Sequence, residues 1–396
     1  MTIQAFDRTR SAARAHVPIV LDASQAAVLA LGDSACAAVI GAPGSGKTTT
    51  LIELVADRVL TRGYDPSEVL ALTPTRGSAT RLRDALALRL GIATNGPLAR
   101  TVNSLAHEIV GAAAREAGSA APRLVTGGEQ DSDIAQLLEG HALEGTGPAW
   151  PDILGPDVRR LRGFRTELRE LMMRATEFDV PPARMRELAR LHNRPEWAAA
   201  ADFIDEYHEV VGNYRGNQLD SAELAAYAVA AIASDTPSER VANLRLVVID
   251  DLQEATESTL AILRALAARG VAIVAFGDPD VAANAFRGGE PDALGRLATV
   301  LGSTQGPRAV QTLNLAIVHR QGETLRALTS AITARVGTAA AGAQRGAVAG
   351  GTDIEHPVLT LSAPTPAREW TAVARQLRER RLSDKIPWSG MAVVVR

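Results

Sequence analysis

The run Gly41-Ala42-Pro43-Gly44-Ser45-Gly46-Lys47-Thr48 limits what this chain can fold into more than any other stretch. The apolar residues Ala38-Val39-Ile40 before it read as a buried strand, and Thr49-Thr50-Leu51-Ile52-Glu53-Leu54-Val55 behind it as a helix. Glycines at 41, 44 and 46 let successive backbone N–H groups turn inward just where that helix begins, and a helix N-terminus favours phosphate. The Gly-x4-Gly-Lys-Thr spacing between strand and helix is that of a P-loop, a cradle for a nucleoside triphosphate. Gly41 to Thr49 would line the phosphates, Lys47 would reach the β and γ oxygens, and Thr48 would hold magnesium.

Such a cradle needs an acidic partner at the end of another buried strand. Leu246-Val247-Val248-Ile249-Asp250-Asp251 supplies it, with four apolar residues leading into two carboxylates at the strand end where open α/β sheets bind ligands. Asp250 is expected to hold Mg2+ through water, and Asp251 to polarise the attacking water.

A chain of 396 residues is too long for a single core and suggests two or three domains. Its net charge of -3 does not by itself point to nucleic acid, so that question rests on how charge is distributed. Cys36 is the only cysteine, which rules out a disulfide within the chain and fits a reducing cytoplasm. The sequence has no basic-then-apolar leader and no apolar run of membrane-spanning length. His107, His141, His192 and His208 lack ligand-like spacing, which argues against a metal site built on histidine. Trp150, Trp197 and Trp388 read as core or interface anchors.

Strand-like and helix-like segments alternate up to about residue 115, through Val69–Thr73 and a helix from Ser78 to Leu90. From 116 to 240 the strand signals stop. Amphipathic helices take over, as in Val158, Leu161, Phe164, Leu168 and Leu171, which fall on one helical face. The arginines at 159, 160, 162, 165, 169 and 174 in that region read as a solvated face with i,i+4 pairs, or less economically as a track for a nucleic-acid backbone. The α/β pattern resumes at Leu244 and includes the strand Val271–Asp278. The expected organisation is a discontinuous α/β domain over 1–115 and 241–335, a helical insertion over 116–240, and a second α/β domain beginning within 336–396. Ala339–Gly351 reads as a linker or mobile loop, and Pro357–Leu361, Ala367–Arg381 and Met391–Val395 as strand, helix and strand.

In this order the segments resemble the UvrD-like branch of superfamily 1 DNA helicases. Leu21-Asp22-Ala23-Ser24-Gln25 is similar to the family's Leu-Asn-Pro-x-Gln element, Ala71-Leu72-Thr73-Pro74-Thr75-Arg76 to its Leu-Thr-Phe-Thr-Asn-Lys, and Arg100 to Leu105 to its Gly-Thr-Phe-His-Ser-Leu. Asp250 to Glu254 resembles Asp-Glu-Phe-Gln-Asp, Gly277 to Gly289 resembles the sensor motif, and Leu313-Asn314 with His319-Arg320 resembles Leu-x-x-Asn-Tyr-Arg-Ser. The resemblance implies a P-loop NTPase with a RecA-like parallel sheet, an inserted helical subdomain and the start of a second RecA-like domain. It implies ATP and Mg2+ as cofactors and single-stranded DNA or DNA ends as partners. It also assigns Gln25 to adenine, Arg287 and Arg320 to phosphate charge, and Thr73, Thr75, Arg76, Arg100, Thr101 and Ser104 to DNA.

The departures from the family pattern imply a weakened motor. Asp251 replaces a glutamate, Val281 replaces the sensor glutamine, and Pro74, Val102 and Asn284 stand where stacking aromatics are expected. The pattern is most similar to the AdnA side of the actinobacterial helicase-nuclease AdnAB, which implies a second UvrD-like subunit and a role in double-strand break processing. On this resemblance the chain ends before the later motor motifs and any nuclease segment. Two other readings stand beside it: a free-standing UvrD-type 3′ to 5′ repair helicase, and an ATP-binding structural or regulatory subunit with little turnover.

Overall fold

A computed structural model describes residues 19–94, 96–215, 218–285, 288–302, 309–337, 341–354 and 357–395. In chain order the strands among them are β1 (Ala37–Ile40), β2 (Val69–Thr73), β3 (Ala99–Thr101), β4 (Arg123–Leu124), β5 (Gln218–Leu219), β6 (Leu246–Ile249), β7 (Ala272–Gly277), β8 (Gln311–Asn314), β9 (Ile317–Val318) and β10 (Val348–Ala349). Six of them form one sheet in the order β3-β2-β6-β7-β1-β8. Every pairing in it is parallel, with Val248 set between Ala71 and Val274, and Ala37 between Val274 and Gln311. All six strands therefore end at one edge of the sheet, and the loops that follow them line up along it.

The central strands are apolar throughout because both faces are covered. Alternate residues divide between the two layers. Leu70, Leu72, Val247, Ile249, Ile273 and Ala275 meet the helices Val102–Glu116, Ser221–Ala233 and Glu257–Ala268, whereas Val69, Ala71, Leu246, Val248, Val274 and Phe276 meet Lys47–Ala56 and Arg76–Leu90. The helical region has its own core, in which Ile134, Leu138, Leu168, Met172, Phe203 and Tyr207 are buried. Trp150 packs edge-on to Phe164 there, with ring centroids 5.3 Å apart, and Trp197 is partly buried against the same cluster.

Four segments differ from the sequence expectation. The apolar run from Val158 to Leu171 is broken: Val158 lies on the short helix Pro156–Arg159, Leu161 is extended and exposed, and the next helix starts at Arg162. The Gly155-Pro156 start and the extended Leu161 shift the helical phase between the two pieces. The helix Ser221–Ala233 lies inside the span expected as an insertion, yet Leu224, Ala225, Ala228 and Ile232 pack into the layer beneath the main sheet. Ala339–Gly351 is not a free linker where it is described. Ala343–Gly346 form a 3₁₀ turn, and β10 pairs in parallel with β9.

The fourth difference is at the C-terminal end. The helix there spans Pro366–Leu382, but 357–361 and 391–395 form no strand. A parallel strand needs neighbours to bury both of its faces, and Val358, Leu359, Leu361 and Val393 to Val395 are exposed. Trp388 is likewise exposed and anchors no core. Arg287 lies outside the described residues.

Phe203 is fully buried at the centre of the helical core. Phe203→Ala is expected to cost about 3–5 kcal/mol in that region, read as an earlier urea unfolding transition by circular dichroism.

Candidate nucleotide site and adjoining cleft

The loop after β1 adopts the conformation its glycines permit. Gly44 and Gly46 have φ of +89° and +84°, in the left-handed region that a side chain disfavours. Close approach adds a second constraint, since a Cβ at Gly46 would lie 2.5 Å from Nε2 of Gln25, and one at Gly41 would lie 2.3 Å from Oγ of Ser45. Gln25 is itself buried. Its Oε1 accepts the backbone N–H of Asp22 at 3.1 Å in a capping box, which leaves the amide nitrogen against Gly46.

Lys47 and Thr48 open the helix Lys47–Ala56. Nζ of Lys47 donates to the carbonyls of Gly41 at 2.7 Å and Ala42 at 3.2 Å. Burial lowers the Lys47 ammonium pKa, against the pull of Asp278, Asp250 and Asp251. The hydroxyl of Thr48 donates to Oδ2 of Asp250 at 2.8 Å, although the two residues are 202 positions apart. Among the described residues the buried Ser45 hydroxyl has no hydrogen-bond partner, and such a group fits a phosphate oxygen.

Asp250 follows β6 directly, and its backbone N–H donates to the carbonyl of Leu72 on the neighbouring strand. Its carboxyl is pushed up to about 6, first by burial and next by the charge of Asp251, against the Thr48 hydroxyl and Lys47. Asp251 has φ +53° and ψ +47°, a left-handed conformation that a non-glycine residue rarely adopts and that tends to occur at functional positions. Gln253 holds it there: Nε2 donates to Oδ1 of Asp251 at 3.1 Å while Oε1 accepts the N–H of Asp278 at 3.0 Å. Glu254 accepts the N–H groups of Ala283 and Asn284 at 2.8 and 2.9 Å. One buried turn thus ties the acidic pair to the segment after β7.

Arg320 comes to the same loop. The N–H of His319 donates to the Gly44 carbonyl at 2.9 Å, and a Cβ on Gly44 would meet the Arg320 Cβ at 3.2 Å and Nε at 3.5 Å. Nε2 of His319 lies 3.0 Å from Oδ2 of Asp22, so the helix carrying Gln25 is joined to this segment as well. Gln25, the loop 41–49, Asp250, Asp251 and Arg320 therefore surround one point.

The residues expected to meet DNA lie at the ends of β2 and β3. Thr73, Arg76, Arg100, Thr101 and Ser104 line an open cleft of about 880 Å³ that also reaches Asp250 and Asp251. Their side chains divide by role. Thr75 caps the helix Arg76–Leu90 by accepting the N–H of Ser78 at 3.1 Å, and Thr101 caps Val102–Glu116 by accepting that of Ser104 at 3.3 Å. Thr73 is buried and donates to the Thr75 carbonyl, and Arg100 is ion-paired with Glu108 at 2.7 Å. Arg76 and Ser104 are exposed. The arginine run in the helical region is largely engaged within the protein: Arg165 pairs with Asp131, Arg169 donates to the Gly127 carbonyl, and Arg174 pairs with Glu177.

The UvrD/REP helicase N-terminal domain family matches residues 21–299. The chain belongs to that family. It is a UvrD-like superfamily 1 helicase motor region, and the family carries ATP-dependent DNA helicase activity with nucleotide and DNA binding. No curated protein matches the chain. Among the described residues no helix is long and apolar enough to cross a membrane.

Sequence reasoning assigned no role to Gln253, Glu254, Asp278 or Gln344. The first three stand inside motif-like runs and were open to such an assignment. Gln344 lies in a Gly/Ala-rich stretch that gave no signal.

A carboxyl whose pKa is raised on folding binds its proton more tightly in the folded chain. Its contribution to stability is fully present below about pH 4 and is lost as pH rises through about 6. Asp250→Asn is therefore expected to raise unfolding free energy at pH 8 by on the order of 2–3 kcal/mol. The gain should shrink as pH falls from 6 towards 4, as followed by urea denaturation across that range.

Proposed function

We propose that this helicase region binds ATP between the loop 41–49 and the Asp250-Asp251 pair, and couples its hydrolysis to movement along single-stranded DNA. The hydrogen bond from Thr48 to Asp250 carries the reading, because it joins the cradle to the metal-holding carboxylate that phosphoryl transfer needs. The fold reading that goes with it is a RecA-like domain over 1–115 and 241–335 that also takes in the helix Ser221–Ala233, a helical 1B-like subdomain over the rest of 116–240, and a 2A-like domain beginning within 336–396.

In this proposal the backbone of Gly41 to Thr49 and the ammonium of Lys47 bind the phosphates, with Gln25 beside the base and Arg320 facing phosphate charge, a role that the resemblance also gives to Arg287. Thr48 and Asp250 would hold Mg2+, whose charge draws electron density from the phosphates when it is bound. The donor set fits, since the Thr48 hydroxyl and the Asp250 carboxylate bring oxygen donors of the kind Mg2+ prefers within 2.8 Å of each other. Asp251, fixed by Gln253, orients the attacking water.

DNA would lie in the cleft at the ends of β2 and β3. Exposed Arg76 and Ser104 are suited to phosphate contact, and the N-caps of Thr75 and Thr101 suit a role in shaping the cleft wall. Arg100 would act through its pair with Glu108. Lacking aromatic side chains at 74, 102 and 284, the cleft would hold bases weakly. That weakness fits a subunit that works beside a second UvrD-like helicase-nuclease subunit at DNA breaks, as the AdnA resemblance implies.

A second reading, an ATP-binding structural subunit with little turnover, is favoured by Val281. Its exposed apolar side chain stands where a hydrogen-bonding sensor is expected. ATP hydrolysis with and without single-stranded DNA separates the two. The motor reading expects DNA stimulation that Lys47→Ala reduces by at least about 100-fold; slow turnover indifferent to DNA would support the structural reading instead. Arg76→Ala should weaken single-strand binding and flatten its salt dependence by about one counterion, measured by fluorescence anisotropy between 50 and 200 mM salt.

A further inference from the structure

Arg100 stands between two cavities. β3 is an edge strand of the main sheet, and Arg100 is in register with Leu72 of β2, so its side chain lies on the face that the helix Val102–Glu116 covers. On one side Arg100 borders the open cleft, together with Arg76, Thr101 and Ser104. On the other it borders a small cavity of about 40 Å³, together with Glu108 and Arg240. Glu108 borders the small cavity but not the cleft.

The carboxylate of Glu108 draws Arg100 to the inner side. Its Oε2 lies 2.7 Å from Nη1 of Arg100, with both side chains partly exposed. The contact is close but poorly aligned. Among the described residues neither Oε2 of Glu108 nor Nε of Arg100 has a hydrogen-bond partner, although both atoms are buried. The pair therefore rests on charge attraction and lacks the two parallel hydrogen bonds that make an arginine–carboxylate contact strong. Pairs of this kind, open in part to solvent, are individually weak. A phosphate in the cleft offers the guanidinium fork several acceptor oxygens and so competes for it. Arg240 is tied to the carbonyls of Ser67 at 2.5 Å and Val69 at 3.5 Å, so a second cation stays at the small cavity if Arg100 turns to the cleft.

We propose that Glu108 withholds Arg100 from the cleft: a single-stranded DNA phosphate must displace the Glu108 carboxylate to engage the guanidinium, and Glu108 thereby limits the grip on the nucleic-acid backbone. This deepens the reading of the cleft as a DNA path, on which it rests, because the pair sets how much of the Arg100 charge the DNA receives. Its test includes an arm without DNA. A guanidinium held by a carboxylate reacts more slowly with phenylglyoxal than a free one. Mass spectrometry of the modified chain compares Arg100 with the exposed Arg375 on the helix Pro366–Leu382.

In the full chain, Glu108→Gln should bind a fluorescein-labelled oligo-dT about 3- to 10-fold more tightly at 50 mM salt, read by anisotropy. Between 50 and 200 mM salt its plot of log affinity against log salt should steepen by about 0.7, the contribution of one further phosphate contact on a single strand. The double variant Arg100→Gln/Glu108→Gln should bind within about 2-fold of Arg100→Gln, because the gain runs through Arg100. Without DNA, Glu108→Gln should raise the Arg100:Arg375 modification ratio about 3- to 10-fold. Glu108→Asp withdraws the carboxylate by one methylene and keeps its charge, so it should move affinity and modification the same way by a smaller amount. That variant carries the test if Glu108→Gln does not fold. Affinity and salt slope unchanged in the folded variants overturn the proposal, as does an unchanged modification ratio. A double variant that keeps the gain also overturns it, since Glu108 would then act on DNA by repulsion alone. A wild-type chain that binds no oligonucleotide would instead sink the DNA reading of the cleft, while the modification ratio still decides whether Glu108 holds Arg100.

Discussion

The contact between Thr48 and Asp250 is the constraint on which the rest of the site depends. It joins the start of a helix to the end of a strand that is not its neighbour in the sheet, because β7 lies between β1 and β6. Only a parallel arrangement with closely matched strand ends can bring those two side chains to 2.8 Å. The burial that makes this possible also makes Asp250 costly as a charge, so the fold carries a destabilised carboxylate at its centre. Such a feature persists where charge is wanted for chemistry.

Around that contact the loops at the sheet edge are joined by buried amides more than by ion pairs. Gln25 packs on Gly46, Gln253 spans the Asp251 side chain and the Asp278 backbone, and Gln344 spans Asp278 and Asp280. Gln253 donates and accepts at once, and Gln344 donates from one nitrogen to two carboxylates, so each side chain joins two groups without adding net charge near the phosphates. This explains how acidic residues can be concentrated at 250, 251, 278 and 280 within a compact edge.

Much of this was legible in the sequence for a physical reason. The strands at 38–40, 69–73, 246–249 and 271–277 are apolar throughout because both faces are covered, and a Gly-rich turn between strand and helix has few alternative uses. What stayed hidden depended on tertiary context. The helix 221–233 reads like its helical predecessors and only its packing assigns it to the sheet layer. Residues 341–351 carry a loop composition yet are fixed by Arg326, Gln344 and a two-residue strand, none of which has periodicity to detect. The apolar runs at 357–361 and 391–395 resemble strands locally, but a strand is a property of its neighbours as well. Thr75 and Thr101 were open to two readings, since a hydroxyl at a strand end serves a cap or a ligand equally well.

The pairing of β4 with β5 gives the helical region a narrow neck. Arg123 and Leu124 lie alongside Gln218 and Leu219, so the polypeptide leaves the sheet domain and returns to it at one spot, close to the cleft wall. Once the two ends are zipped, the closure entropy grows only logarithmically with the length between them, by about 0.6 kcal/mol per doubling. Evolution, or a protein engineer, is thus free to vary the length beyond that neck at little entropic cost, provided that Met173 and Glu177 keep their place in the cleft wall and Glu177 its contact with Ser258.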